Sequence, residues 1–189
     1  MTTQPDRLPP GQTWLAKPIV YDIGPVPSLD LTDFRLRVHG AVLHSLDLSW
    51  ADLQALPSTQ IVRDFHCVTT WSVQNISWTG IQVREMVDRV LPDPEVRWVM
   101  VRSRDGYATS IPIEDFRRPD SLLAFRMNGV ALAPEHGWPV RLVVPSLYAW
   151  KSAKYVHEIE FLSRRQRGYW EERGYHDRGD PWSAERYRV

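Results

Sequence analysis

Fifteen prolines cut this 189-residue chain into short apolar runs, and most of those runs carry the two-residue alternation of a half-buried strand rather than a helical period. "FRLRVHGAV" at residues 34–42 alternates apolar and polar side chains. "RWVMVRS" and "YATSIPI" read as two strands joined by the turn Arg104-Asp105-Gly106. "LLAFRMNGVALAP" is a hairpin around Asn128-Gly129, a dipeptide suited to a two-residue turn. "PVRLVVP" reads as a buried strand ending at Pro145, and "YVHEIEFL" as a further alternating one. Helices are few and short. In "LSWADLQAL", Ser49 with Asp52 three residues on resembles a capping box, and the helix ends before Pro57. "TGIQVREMVDRVLP" places Val83, Met86, Val87, Val90 and Leu91 on one face, with Thr79 as the expected cap and Pro92 as the stop. The pattern predicts one strand-dominated α+β domain over residues 15–189, preceded by a flexible arm over residues 1–14. Residues 163–189 form an irregular end rich in charge and aromatic rings.

Lysine plus arginine number 23, as do aspartate plus glutamate, so the formal charge is zero. That balance argues against a nucleic-acid or membrane-surface partner, both of which favour a basic excess. The polar, proline-rich start shows neither a signal-peptide core nor paired arginines, and no run reaches the length of a membrane span. A cytoplasmic protein is therefore expected. Nine tryptophans suggest aromatic-walled cavities.

The single cysteine, Cys67, lies in the most aromatic segment, "VRDFHCVTTWSVQNISWTG", residues 62–80. One cysteine excludes an intrachain disulfide and any multi-cysteine zinc or iron–sulfur site. Three readings stay open. Cys67 is a small buried hydrophobe, a thiol nucleophile, or one soft ligand to a metal otherwise held by a cofactor. The second is weakened because His66, its neighbour on a strand, points to the opposite face.

"DFHCVTTWS", followed by "W.G", resembles the cysteine segment of the sulfite oxidase family of molybdopterin enzymes. "NGVALAPEHGWPVRLVVPSLYAWKSAKYVHEIEF" is similar to that family's second signature. The resemblance runs from about residue 15 to residue 175. It implies a sulfite oxidase-type fold of mixed β-sheets with short helices, a molybdenum–molybdopterin cofactor and two-electron oxygen-atom transfer. By the same resemblance Cys67 is the thiolate ligand to molybdenum. Arg141 and Lys154 supply charge to the cofactor's phosphate, Ser152 and Ala153 let backbone amides approach it, and His136 bonds the cofactor. Ser103 falls where the family has a polar pterin-binding residue at a strand end, and Asp22 and Ile23 fall in its N-terminal cofactor segment.

The expected substrate pocket is formed by Tyr21 and Tyr175. Tyr175 matches a tyrosine lining the metal pocket, whose hydroxyl can meet a substrate oxygen and act in catalysis. Tyr21 stands where sulfite oxidases have an arginine that binds sulfite. That departure weakens sulfite as substrate and is closer to the methionine-sulfoxide reductase branch, whose periplasmic members carry a twin-arginine export signal not seen here, so both branches stay open. Trp170 and Trp182 are expected at the same mouth. Full-length sulfite oxidases carry haem and dimerisation domains for which this length leaves no room, so a separate electron-transfer partner is expected. The alternative function is a non-catalytic molybdopterin-binding or electron-transfer module.

Overall fold

A computed structural model of the chain describes residues 8–188. In chain order the strands are β1 (Thr13–Leu15), β2 (Arg35–Gly40), β3 (Leu46–Ser49), β4 (Ser58–His66), β5 (Trp71–Gln82), β6 (Trp98–Ser103), β7 (Ala108–Pro112), β8 (Leu122–Met127), β9 (Val130–Ala131), β10 (Arg141–Val143) and β11 (Val156–Leu162). The helices are α1 (Trp50–Gln54), α2 (Arg84–Val90), α3 (Ile113–Phe116) and α4 (Tyr169–Glu172). This is the α+β class expected from the sequence: mixed sheets with short helices.

The strands form a six-stranded and a five-stranded sheet. In the first, β5 is central. It pairs antiparallel with β4 and β8, and parallel with β1, while β10 and β9 pair with β8. In the second the order is β3-β2-β11-β6-β7, with β11 parallel to β2 and antiparallel to β6.

Both faces of the first sheet are buried along β10, the start of β8 and much of β5, and strand parity decides which residue goes where. Ile81, Leu123 and Leu142 join the main core with Val38, Val99, Ile159 and Met86. Their neighbours in the same strands, Trp78, Leu122, Ala124 and Val143, point the other way into a second cluster that holds Phe65, Cys67, Trp71 and Trp150. The continuous apolar run in "PVRLVVP" follows from this two-sided burial. Gly80 is fixed by contact at the β5–β8 crossing, because a Cβ there would lie 2.2 Å from the Leu123 carbonyl oxygen.

Ser49 and Asp52 form the expected capping box at the start of α1. The Asn128-Gly129 turn joins β8 to β9. Thr79, however, does not cap α2. It pairs with Gln60 and Arg126 inside the sheet, and α2 begins only at Arg84, with no side-chain cap. Long-range pairing on both sides of β5 outweighs the local helix-start signal. Leu91, expected on the buried helix face, is 49% exposed and ends α2 in the left-handed region.

The expected flexible arm also differs. Residues 1–7 of it lie outside the described residues, but Thr13–Leu15 add a parallel strand to β5, and Gln12 is buried. Backbone pairing with the rim of β5, invisible to local composition, ties that part down.

Candidate functional site

Strands β4 and β5 are joined by a four-residue loop, Cys67 to Thr70, closed by Cys67 N–H to Trp71 O at 2.8 Å and Thr70 N–H to Cys67 O at 3.1 Å. Thr70 holds a φ of +72°, a strained value for a β-branched residue. Both ends of the chain fasten this loop. The Gln12 side-chain amide donates to Cys67 O at 3.0 Å, and its carbonyl accepts from the Ser72 hydroxyl at 3.2 Å. Arg186 donates to the carbonyls of Val68 and Pro10.

His66 and Cys67 face opposite ways, as alternation demands. His66 Nδ1 lies 2.8 Å from Ser72 Oγ, and its ring meets Trp182 at 6.1 Å, beside a polar hollow. Trp182 therefore stands behind the cysteine and not at the cavity mouth, and the expectation for it is corrected. His66 is likewise out of reach as a base for Cys67.

Cys67 opens onto the other side, into a cavity of about 380 Å³. That size is within the range of small-molecule sites. The cavity gathers nearly all the residues singled out in the sequence. Tyr21, Asp22 and Ile23 line it from the N-terminal segment, and Cys67 from the hairpin loop. His136 comes from the approach to β10 and Arg141 from its first position, Ser152, Ala153 and Lys154 from the turn before β11, and Trp170 and Tyr175 from the C-terminal segment. Ser103 is the exception. It lies buried at the end of β6, its backbone N–H bonded to Tyr107 O at 2.8 Å, and the wall there is made by Asp105 and Tyr107 instead. The β6–β7 turn carries those later residues past Ser103 to the wall.

Burial shifts both the sulfur and the cations of the cavity. It pushes the Cys67 thiol above its ordinary value, opposed by the hydrogen bond with Thr69, whose Oγ1 is 3.2 Å from Sγ. The Arg141 guanidinium is almost fully buried and is pushed down by that burial to about 10. It donates to His136 O at 3.1 Å and Ser152 O at 3.0 Å, and lies over the rings of Phe65 and Trp78. Among the described residues no carboxylate pairs with it. Lys154 donates to Tyr21 O at 2.9 Å and Glu135 O at 3.0 Å and pairs with Asp22, while burial lowers its pKa. Burial, then the charge of Arg141, lowers His136 as well. Gly137, at φ +105°, lets the turn after His136 sit against this pair: a Cβ would meet Arg141 Cβ and Lys154 Cβ, each at 3.0 Å.

Several supporting residues were not foreseen. Lys151 and Glu171 form an ion pair with no exposure at either side chain. Lys151 also donates to Ser110 O at 2.6 Å and Asp177 O at 2.8 Å, and Thr109 donates to Glu171 at 2.7 Å. The pair ties α4 to the turn that holds Trp150, and Trp150 and Trp170, the residues just before Lys151 and Glu171, are two cavity walls that bracket Tyr175 at ring distances of 5.2 and 4.9 Å. The lysine in "AWKSAK" was the available signal, but its acidic partner is 20 residues away.

The chemistry on offer is specific. Among the described residues no cluster of three or more histidine, cysteine or acidic side chains could hold a metal ion. One soft sulfur and a buried cation without a carboxylate partner line the same aromatic-walled cavity. That donor set fits a metal whose other ligands come with an anionic organic chelate.

Comparison with known proteins agrees with this arrangement. A family profile described as "Oxidoreductase molybdopterin binding domain" matches residues 23–170. The protein named "Uncharacterized oxidoreductase YuiH" of Bacillus subtilis (strain 168) is 40% identical over 185 residues, covering 97% of this chain and 93% of the relative. The protein-methionine-sulfoxide reductase catalytic subunit MsrP of Campylobacter jejuni is 28% identical over 156 residues, 74% of this chain and 52% of its own. Mouse mitochondrial sulfite oxidase is 28% identical over 181 residues, 80% of this chain and 33% of its own. The chain thus spans about half of the first of these two enzymes and a third of the second. Among solved structures, the sulfane dehydrogenase SoxCD from Paracoccus pantotrophus superposes with a TM-score of 0.68 at 25% identity, over 74% of this chain and 40% of that one. A cavity lined by both a lone thiol and an unpaired guanidinium, together with the family profile and the shared fold, makes this chain an oxidoreductase of the molybdopterin-binding domain family related to MsrP and sulfite oxidase.

Proposed function

We propose that the cavity holds a molybdenum–molybdopterin cofactor and that the protein performs two-electron oxygen-atom transfer on a small sulfur-containing or other oxo substrate. The observation that carries this is the placement of the chain's only thiol and its buried, carboxylate-free Arg141 on one cavity. When bound, the cofactor supplies a metal that exchanges an electron pair with the substrate.

The protein's own part is binding, orientation and water exclusion. Cys67 Sγ serves as the one protein ligand. Arg141, Lys154 and His136, with backbone near Ser152 and Ala153, hold the anionic end. Ser152 Oγ accepts from Val144 N–H at 3.0 Å, and its carbonyl from Arg141, so this turn is rigid before any ligand arrives. Trp150 and Trp170 keep water from the reacting centre. Tyr175 meets the substrate oxygen: a tyrosine hydroxyl carries its proton at neutral pH and can donate it, and burial pushes its pKa further up. With Tyr21 where sulfite oxidases have an arginine, the N-terminal segment offers no guanidinium to sulfite at that position, which favours a neutral oxo substrate such as an S-oxide.

The electron pair is exchanged with a separate electron-transfer protein in this proposal, and the protein works in the cytoplasm, which cell fractionation tests. Among the described residues no helix is long and apolar enough to cross a membrane. The purified holoprotein is to be assayed for molybdenum, for pterin fluorescence after oxidation, and for dye-linked S-oxide reduction and sulfite oxidation. Metal, fluorescence and a turnover that Tyr175→Phe depresses about 100- to 1000-fold are expected, in the range of one lost hydrogen-bond donor to a reacting oxygen. Metal with no turnover of either substrate class would instead support the non-catalytic module.

A further inference from the structure

We propose that Thr69, with Tyr21 behind it, is a positioning residue that sets how strongly the Cys67 sulfur donates electrons to its metal. This rests on Cys67 being the metal ligand and goes further, assigning a role to a residue outside the expected site.

Thr69 Oγ1 lies 3.2 Å from Cys67 Sγ, and Tyr21 OH lies 3.3 Å from Thr69 Oγ1. While the sulfur carries a proton, either partner of each pair can donate. Once the sulfur is a thiolate it has no hydrogen to give, and the direction is fixed. The Thr69 hydroxyl must donate to sulfur, and its oxygen is then free to accept from Tyr21. The relay has an anchored far end, since the Tyr21 carbonyl accepts from Lys154 Nζ at 2.9 Å. Contacts therefore link Lys154, through Tyr21 and Thr69, to the Cys67 sulfur.

A hydrogen bond to a metal-bound thiolate withdraws charge that the sulfur would otherwise share with the metal. It stabilises the electron-rich, reduced state and raises the reduction potential. A second bond, into the first hydroxyl, polarises it in the same sense and more weakly. Thr69 has little else to do. It is exposed, outside both sheets, and the loop's backbone is held by Gln12, Trp71 and Arg186. Its neighbour Thr70 turns its own hydroxyl to the Thr69 carbonyl at 2.6 Å, away from sulfur.

The test is a redox titration of purified holoprotein, followed by the metal's electron paramagnetic resonance signal. Thr69→Val keeps the shape and removes the donor. Its midpoint is expected to move to lower potential with altered g values, Thr69→Ser to restore the wild-type midpoint, and Tyr21→Phe to shift it the same way by less. In wild type, a coupled proton is expected to vanish from the spectrum in deuterated buffer. Coincident midpoints for Thr69→Val and wild type would overturn the proposal. So would identical wild-type spectra in light and heavy water, which decides the matter should Thr69→Val lose its metal. Failure of the underlying assignment looks different: Cys67→Ser would then keep the wild-type signal.

Discussion

Arg141→Met separates an arginine kept for a ligand from one kept for the fold. The side chain is 7% exposed, its hydrogen-bond acceptors are all neutral carbonyls, and burial holds it at about 10 against an ordinary 12.5. At roughly 1.36 kcal/mol per pH unit, keeping that cation buried costs the folded chain about 3 kcal/mol. Methionine removes the cost and lays an apolar chain between Phe65 and Trp78, where the guanidinium now stacks at 5.6 and 5.3 Å. Against this, the carbonyls of His136 and Ser152 each lose a donor, at about 1 kcal/mol apiece. The two effects nearly offset. Urea unfolding of cofactor-free protein, followed by tryptophan fluorescence, should place Arg141→Met within about 1 kcal/mol of wild type. In the same variant the metal content of protein purified from cofactor-replete cells should fall about tenfold or more, as expected when a charge-assisted bond to an anion is lost. A variant that loses more than about 3 kcal/mol without cofactor, or that keeps its full metal load, would refute the reasoning. Arg141 would then be a structural anchor.

Lys151→Met should behave in the opposite way. It strands a fully buried Glu171 carboxylate and should cost about 3–5 kcal/mol in the same unfolding experiment, with Lys151→Met/Glu171→Leu recovering most of the loss; equal losses in the single and double variants would show that the pair is not what locks α4. Burial, then the charge of Arg104, holds His157 below its ordinary 6.5. The unfolded chain therefore takes up a proton here more readily than the folded one, and stability should fall as pH drops below about 6.5. His157→Gln should flatten that part of the stability–pH curve, and an unchanged slope would assign the effect to other groups.

What the sequence disclosed was local or carried by motif. Asn128-Gly129 and Ser49 with Asp52 act within a few residues, and both formed as read. The parity that turned His66 from Cys67 is equally local, and it held across the hairpin loop. The cavity residues, from Tyr21 to Tyr175, were legible through resemblance to a family and not through periodicity, the two motifs marking Cys67 and the His136–Lys154 stretch. What stayed hidden depended on partners far along the chain. Thr79 looked like a cap until β4 and β8 claimed it from both sides. Residues before Leu15 looked like a loose arm until β5 offered an edge. Lys151 had no visible reason to be buried without Glu171, and Trp182 looked like a cavity wall until the C-terminal segment folded behind His66. Ser103 matched by position, but the turn after it delivered Asp105 and Tyr107 in its place.

X-ray absorption at the metal edge tests most directly whether the Cys67 sulfur grips the metal. Counting sulfur neighbours in wild type and in Cys67→Ser holoprotein should show one sulfur fewer in the variant, with the pterin still present. The same sulfur count in both would mean that Cys67 is a buried side chain and no ligand at all.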